Sequence, residues 1–150
     1  MSAEQNETIA RRYFNAFLNN DADDATEYIA ADARFSSPGF FENGEYGFAP
    51  LYTGAEAFQA TVQAVHAAMP DFGGEIKEVV ATKDGALVRY VLHGTLRGEF
   101  AGVQPTGKRA ESAGMDLLQF SDGKISRVMT VWDEMRLWQQ LGVLPPLPTD

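Results

Sequence analysis

The sequence predicts an α+β fold: a curled antiparallel sheet with three N-terminal helices laid into it, forming an apolar cone open at one end. Three observations predict it. Apolar residues recur at helical spacing in the first half, as Ile9, Tyr13, Phe14 and Phe17 and again as Phe58, Val62, Val65 and Met69. From Gly74 onward the period changes to two. Asp84-Gly85 and Asp122-Gly123 then stand between period-two segments as hairpin turns. A chain of 150 residues fits one domain, 1–150, with a core of useful size and a Pro-rich tail over 143–150.

In chain order, Ser2 followed by Gln5 reads as a capping box that starts a helix running to about Asn19. Asn19-Asn20-Asp21 ends it. A second short helix is expected over 23–30, burying Tyr28 and Ile29, and a short strand over 33–36. The stretch 37–54 is rich in Gly and Pro and carries Phe40, Phe41, Tyr46, Phe48 and Tyr52. It reads as a long loop, either folded over the mouth of the cone or packed by its own side chains. A third helix covers 54–69 and stops at Pro70. His66 lies beside its buried stripe, where a histidine reads as a boundary residue.

Four strands follow, over 74–83, 86–100, 108–120 and 124–133. A last amphipathic helix spans 134–141 and presents Met135, Trp138 and Leu141. The tail after it, with Pro145, Pro146 and Pro148, is expected to be extended.

Composition excludes several functions. Twelve basic side chains against 21 acidic ones give a net charge of −9, which repels phosphate backbones, so no nucleic acid partner is expected. No apolar run reaches the length of a membrane span, and the polar N-terminus MSAEQNET is not a signal peptide; a cytoplasmic location is expected. Zero cysteines remove disulfides, thiolate nucleophiles and Cys-ligated zinc. With only His66 and His93, a three-histidine metal site cannot be built, and no spaced Asp/Glu loop suggests a hard cation. Without GxSxG, Walker or GxGxxG motifs, the expectation is no metal and no cofactor.

Several phrases are similar to the SnoaL-like polyketide cyclases of the nuclear-transport-factor-2-like superfamily. They are RRYFNAF, LYTGAEAF, GEFAGVQPTGKR, GMDLLQF, SDGKI and VWDEMRLWQQLG, which in this order cover nearly the whole chain. The resemblance implies a cone-shaped α+β barrel and a hydrophobic small-molecule substrate, polyketide-like or another apolar oxygenated secondary metabolite. It also implies an aldol cyclase aspartate ten residues beyond Phe120. That position is Thr130, which cannot serve as acid or base.

A carboxyl remains at Asp116, in the place where the similar ketosteroid isomerases carry a pocket aspartate. Among Met115, Leu117 and Leu118 it must be paired or have a raised pKa, which suits acid–base or oxyanion chemistry. Alternation places Gly114, Leu118 and Phe120 on its face, with Val128, Thr130 and Trp132 on the next strand. The opposite face carries Met115, Leu117, Met129 and Val131, too apolar for water, so a homodimer through the outer sheet face is expected.

Asp133 is either a second acid or base at the pocket rim or the N-cap of the last helix, and the cap is the better fit. His93, if inward, is a proton-transfer partner for Asp116, but Gly94 leaves its face open. Tyr90, at the opposite parity, is positioned to give a phenol to a substrate oxygen, and Arg89 shares the parity of His93. The candidate catalytic set is therefore Asp116, His93 and Asp133. Tyr13, Phe17, Phe35, Tyr46, Phe58, Tyr90, Leu118, Thr130 and Trp132 are expected to shape the cavity. The leading function is a cofactor-independent cyclase or isomerase. Epoxide opening or hydrolysis in the same pocket, a non-catalytic carrier and a dimeric scaffold with a filled core are the alternatives.

Overall fold

The computed structural model describes residues 1–146 and Pro148. The chain opens with α1 (Ala3–Leu18), started by the expected capping box: Gln5 N donates to Ser2 Oγ at 3.1 Å and Ser2 N to Gln5 Oε1 at 2.8 Å. Its apolar stripe, Ile9, Ala10, Tyr13 and Phe14, is buried. The second helix, α2, is one turn (Asp23–Thr26), shorter than the expected 23–30, because the chain turns into β1 (Ile29–Phe40). Ile29 is buried as expected, but in that strand, and Tyr28 is only half-buried.

The larger correction concerns 37–54. It is no loop but the rest of a β-hairpin, β1 with β2 (Tyr46–Thr53). Proline hid it. Pro50 stands on the edge strand, where no ladder donor is needed, and Pro38 lies beyond Ser36, the last β1 residue paired with the strand on its other side.

α3 (Gly54–Ala68) follows directly. Gly54 has φ +85°, and a Cβ there would stand 2.7 Å from the Ala31 carbonyl oxygen, so only glycine fits this strand-to-helix corner. β3 (Gly73–Ala81), β4 (Gly85–Thr95), β5 (Arg109–Ser121) and β6 (Lys124–Trp132) are close to the expected strands. The β5–β6 turn has positive φ at both Asp122 and Gly123, the hairpin geometry that an Asp-Gly pair favours. α4 (Glu134–Gln140) ends the regular structure.

One six-stranded sheet results, ordered β2-β1-β6-β5-β4-β3, with β1 parallel to β6 and the other pairs antiparallel. The fold is the expected α+β class, with six strands rather than four long ones, and a hairpin between the second and third helices. Two apolar clusters fill the concave side. One joins α1, α3 and the centre of the sheet through Tyr13, Phe14, Phe58, Val88, Leu118 and Val128. The other, at the far end, gathers Val65, Met69, Leu96, Ala110, Leu137 and Leu141. On the convex side, Met115, Leu117 and Val131 are exposed.

Of the tail expected over 143–150, Leu147, Thr149 and Asp150 lie outside the described residues. Val143 and Leu144 fold back, donating their N–H groups to the Trp138 carbonyl at 2.9 and 3.2 Å. No described helix is long and apolar enough to cross a membrane.

Candidate active site

A cavity of about 380 Å³ lies between the two clusters and takes its walls from both. Aromatic rings dominate it: Tyr13, Phe14 and Phe17 from α1, Tyr52 from β2, Phe72 before β3, and Trp132 at the end of β6. Among the described residues no lysine or arginine borders it.

Its polar centre is on the sheet. Asp116 is 4 % exposed, and the Tyr90 hydroxyl donates to its Oδ1 at 2.9 Å. Thr130 is its direct partner on β6 and borders the same space. Burial drives the Asp116 pKa up to about 6, against hydrogen bonds from Tyr90 and Thr130 that favour the charged form. The surrounding phenols move upward as well. Burial is the first cause for Tyr13, Tyr52 and Tyr90, and the charge of Asp116 adds to it in each. All three therefore remain neutral donors at physiological pH. Tyr13 is clamped between Phe58 and Phe35, with ring centroids at 5.0 and 6.4 Å. Its hydroxyl is left without a hydrogen-bond partner among the described residues.

Of the residues expected at the cavity, Tyr13, Phe17, Tyr90, Asp116, Thr130 and Trp132 border it. Four expected wall residues do not. Phe35, Phe58 and Leu118 are buried behind the wall; Phe35 stacks on Tyr52 at 4.4 Å and Phe58 supports Tyr13. Tyr46 is 68 % exposed and meets Phe40 edge-on at 5.2 Å on the outside of the hairpin.

Two candidate catalysts also fall away from the carboxyl. Asp133 is the N-cap of α4, its carboxylate accepting from Arg136 N at 3.1 Å, and it does not border the cavity. His93 flanks the cavity along β4, but it shares the parity of exposed Arg89 and pairs with exposed Glu111 on β5. The ring therefore lies on the outer face, with Cε1 3.1 Å from where a Cβ of Gly73 would stand. Its Nδ1 is buried without a partner among the described residues.

Sequence reasoning missed Tyr52, Phe14, Phe72, Phe100, Met69 and Ser112 at the walls. Phe14 and Met69 were legible as members of the helical stripes. Tyr52 becomes legible only as the hairpin partner of Phe35. Phe72 and Phe100 sit in connections, where periodicity carries no signal. Among the described residues no three His, Asp or Glu side chains are grouped to hold a metal ion.

The comparisons agree with this geometry. The family model for the SnoaL-like polyketide cyclases matches residues 7–141. The chain is 30 % identical over 138 residues to nogalonic acid methyl ester cyclase of Streptomyces nogalater, covering 91 % of this chain and 95 % of that one. It is 28 % identical over 142 residues to an aklanonic acid methyl ester cyclase of Streptomyces peucetius, covering 93 % and 92 %. Among solved structures, wild-type IdmH of Streptomyces antibioticus superposes with a TM-score of 0.71 at 30 % identity, covering 91 % and 97 %. TsrD of Streptomyces laurentii superposes with a TM-score of 0.79 at 18 % identity, covering 96 % and 99 %, a likeness of fold.

Proposed function

The chain belongs to the SnoaL-like polyketide cyclase family, and from that premise we propose that it is a cofactor-independent acid–base cyclase for a neutral, aromatic, polyketide-like ketone. The observation that carries the reading is Asp116: a buried carboxyl with a pKa of about 6, opening onto an aromatic cavity. Such a group is mostly ionised at neutral pH, so it can take a proton, and it is basic enough to hold one.

In the proposed step, Asp116 removes a proton from a carbon activated by a carbonyl. The enolate oxygen faces the free hydroxyl of Tyr13, a neutral donor fixed by packing. The enolate carbon attacks a second carbonyl within the same molecule, and Asp116 returns its proton to the new alkoxide. One C–H bond breaks, one C–C and one O–H bond form, and no redox partner is needed. Water is kept out by Phe14, Phe17, Phe72 and Trp132.

The carrier reading draws on Thr130, which stands where the family's cyclases carry their aspartate. Against it, binding alone has no need of an ionisable group held in a dry wall. We also propose a homodimer through the convex face, where Met115, Leu117 and Val131 leave apolar surface in water.

The test is turnover of aklanonic acid methyl ester and nogalonic acid methyl ester, the compounds in the relatives' names. The expected product has unchanged mass and one new ring. Its rate should fall as pH drops through about 6, and by at least about 10²-fold in Asp116→Asn. Full activity in that variant would remove Asp116 from the chemistry. Tight binding of both esters without conversion would favour the carrier.

A further inference from the structure

We infer that Tyr90 is the positioning residue for Asp116, and that Gly114 is the space that lets it act. The inference rests on the acid–base reading of Asp116 given above. Tyr90 pairs with Gly114 across β4 and β5, while Asp116 pairs with Val88, so the phenol and the carboxyl are diagonal neighbours on one face. A diagonal of this kind is within reach of an aromatic side chain. The reach here crosses position 114. A Cβ on Gly114 would stand 2.7 Å from the Tyr90 hydroxyl and 2.8 Å from both Trp132 Cβ and the Val131 carbonyl oxygen. Any larger residue would drive the phenol off its bond. The ring itself is held from above by Phe14, stacked at 4.3 Å.

Two chemical consequences follow. A phenol has one proton to give, and Tyr90 gives it to Asp116 Oδ1 at 2.9 Å. Tyr90 is thus not the donor to a substrate oxygen that its parity suggested; that role passes to Tyr13, whose hydroxyl is free. Second, the two carboxyl oxygens become unequal. Oδ1 is held as an acceptor, so the proton of the neutral acid is carried on Oδ2, and the exchange with substrate runs through that oxygen. One hydrogen bond thereby fixes the rotation of the carboxyl and favours its charged form inside an apolar wall.

The experiment is a substrate-free titration by ¹³C NMR, with label in the aspartate carboxyls and at tyrosine Cζ. In the unsubstituted protein the Tyr90 Cζ signal should move with the midpoint of Asp116, near 6, and the Tyr13 signal should move less. Tyr90→Phe keeps the stack on Phe14 and removes only the bond. The Asp116 midpoint should then rise by about one unit or more, the size expected for a hydrogen bond to a charged group. Gly114→Ala, which keeps the phenol but takes its room, should give the same upward move. An unchanged midpoint in Tyr90→Phe overturns the inference, and an unchanged one in Gly114→Ala overturns the glycine's part in it. Should either variant fail to fold, the Cζ signal of the unsubstituted protein decides: a Tyr90 resonance that ignores Asp116 overturns the positioning role. Because no substrate enters the titration, its failure would leave the proposed cyclase activity to the ester assay, and failure of the assay would leave the coupling standing.

Discussion

Asp116 on β5 and Thr130 on β6 are direct cross-strand partners with side chains on the same face, bordering one cavity. Cross-strand partners have their Cβ atoms about 5 Å apart. A carboxyl at either position therefore reaches much the same volume. The family's cyclases carry theirs at the position of Thr130; this chain carries it one strand over, which moves the approach to substrate by about one strand spacing of 4.8 Å.

That relationship makes Thr130→Asp informative. Two carboxyls sharing a buried site cannot both ionise freely, so the pair should titrate in two steps, the upper one above the present value of about 6. The exchange variant, Asp116→Thr with Thr130→Asp, should return to a single carboxyl titration and recover part of the turnover lost in Asp116→Asn. Carboxyl NMR and the ester assay read both. An exchange variant as inactive as Asp116→Asn would show that the two positions are not equivalent in the cavity.

Burial of Asp116 also sets a pH dependence of stability. Its pKa rises from 3.8 to about 6 on folding, so the folded protein keeps a proton that the unfolded chain releases between those values. The stabilisation from the neutral carboxyl is complete below 3.8 and lost as pH rises through about 6, a difference of roughly 3 kcal/mol. Asp116→Asn should therefore melt above the parent at pH 7.5 and close to it near pH 4. Thermal unfolding across pH measures this, and an advantage independent of pH would sink the account.

The hairpin offers a contrast between two tyrosines. Tyr46→Ala should cost at most about 1 kcal/mol and leave binding of a neutral naphthol probe unchanged, since the side chain faces water beside Phe40. Tyr52→Ala should weaken that binding severalfold, because it removes a cavity wall stacked on Phe35. Equal effects from the two would contradict the hairpin register.

The convex face predicts the oligomeric state. Leu117→Glu places a charge among Met115, Leu117 and Val131 and should convert a dimer to a monomer in sedimentation velocity while leaving the fold intact. A parent protein already monomeric at working concentration would refute the interface.

Much of this was legible in the sequence. The capping box before α1, the apolar stripes of α1 and α3, the change of period at Gly74 and the Asp122-Gly123 turn each follow from local chemistry. Alternation alone put Asp116, Thr130 and Trp132 on one face. These are statements about neighbours along the chain, or across a two-residue turn, and such neighbours are what a linear pattern encodes.

Tertiary structure decided the rest. Tyr46, Phe48 and Tyr52 have the same parity, so an unbroken strand would place all three on one face. The register of β1 and β2 slips between Phe35 and Ser36, leaving Leu51 as an extra residue; Tyr52 turns to the cavity and Tyr46 and Phe48 to water. His93 was ambiguous for a related reason: alternation gives only relative facing, and the absolute face depends on which side the helices cover. The bond from Tyr90 to Asp116 needed a missing side chain at Gly114, on another strand. The sequence by itself determined which residues share a face; the packing of helices, the bulge and one glycine determined which face became the wall of a cavity, because these depend on contacts between segments far apart in the chain.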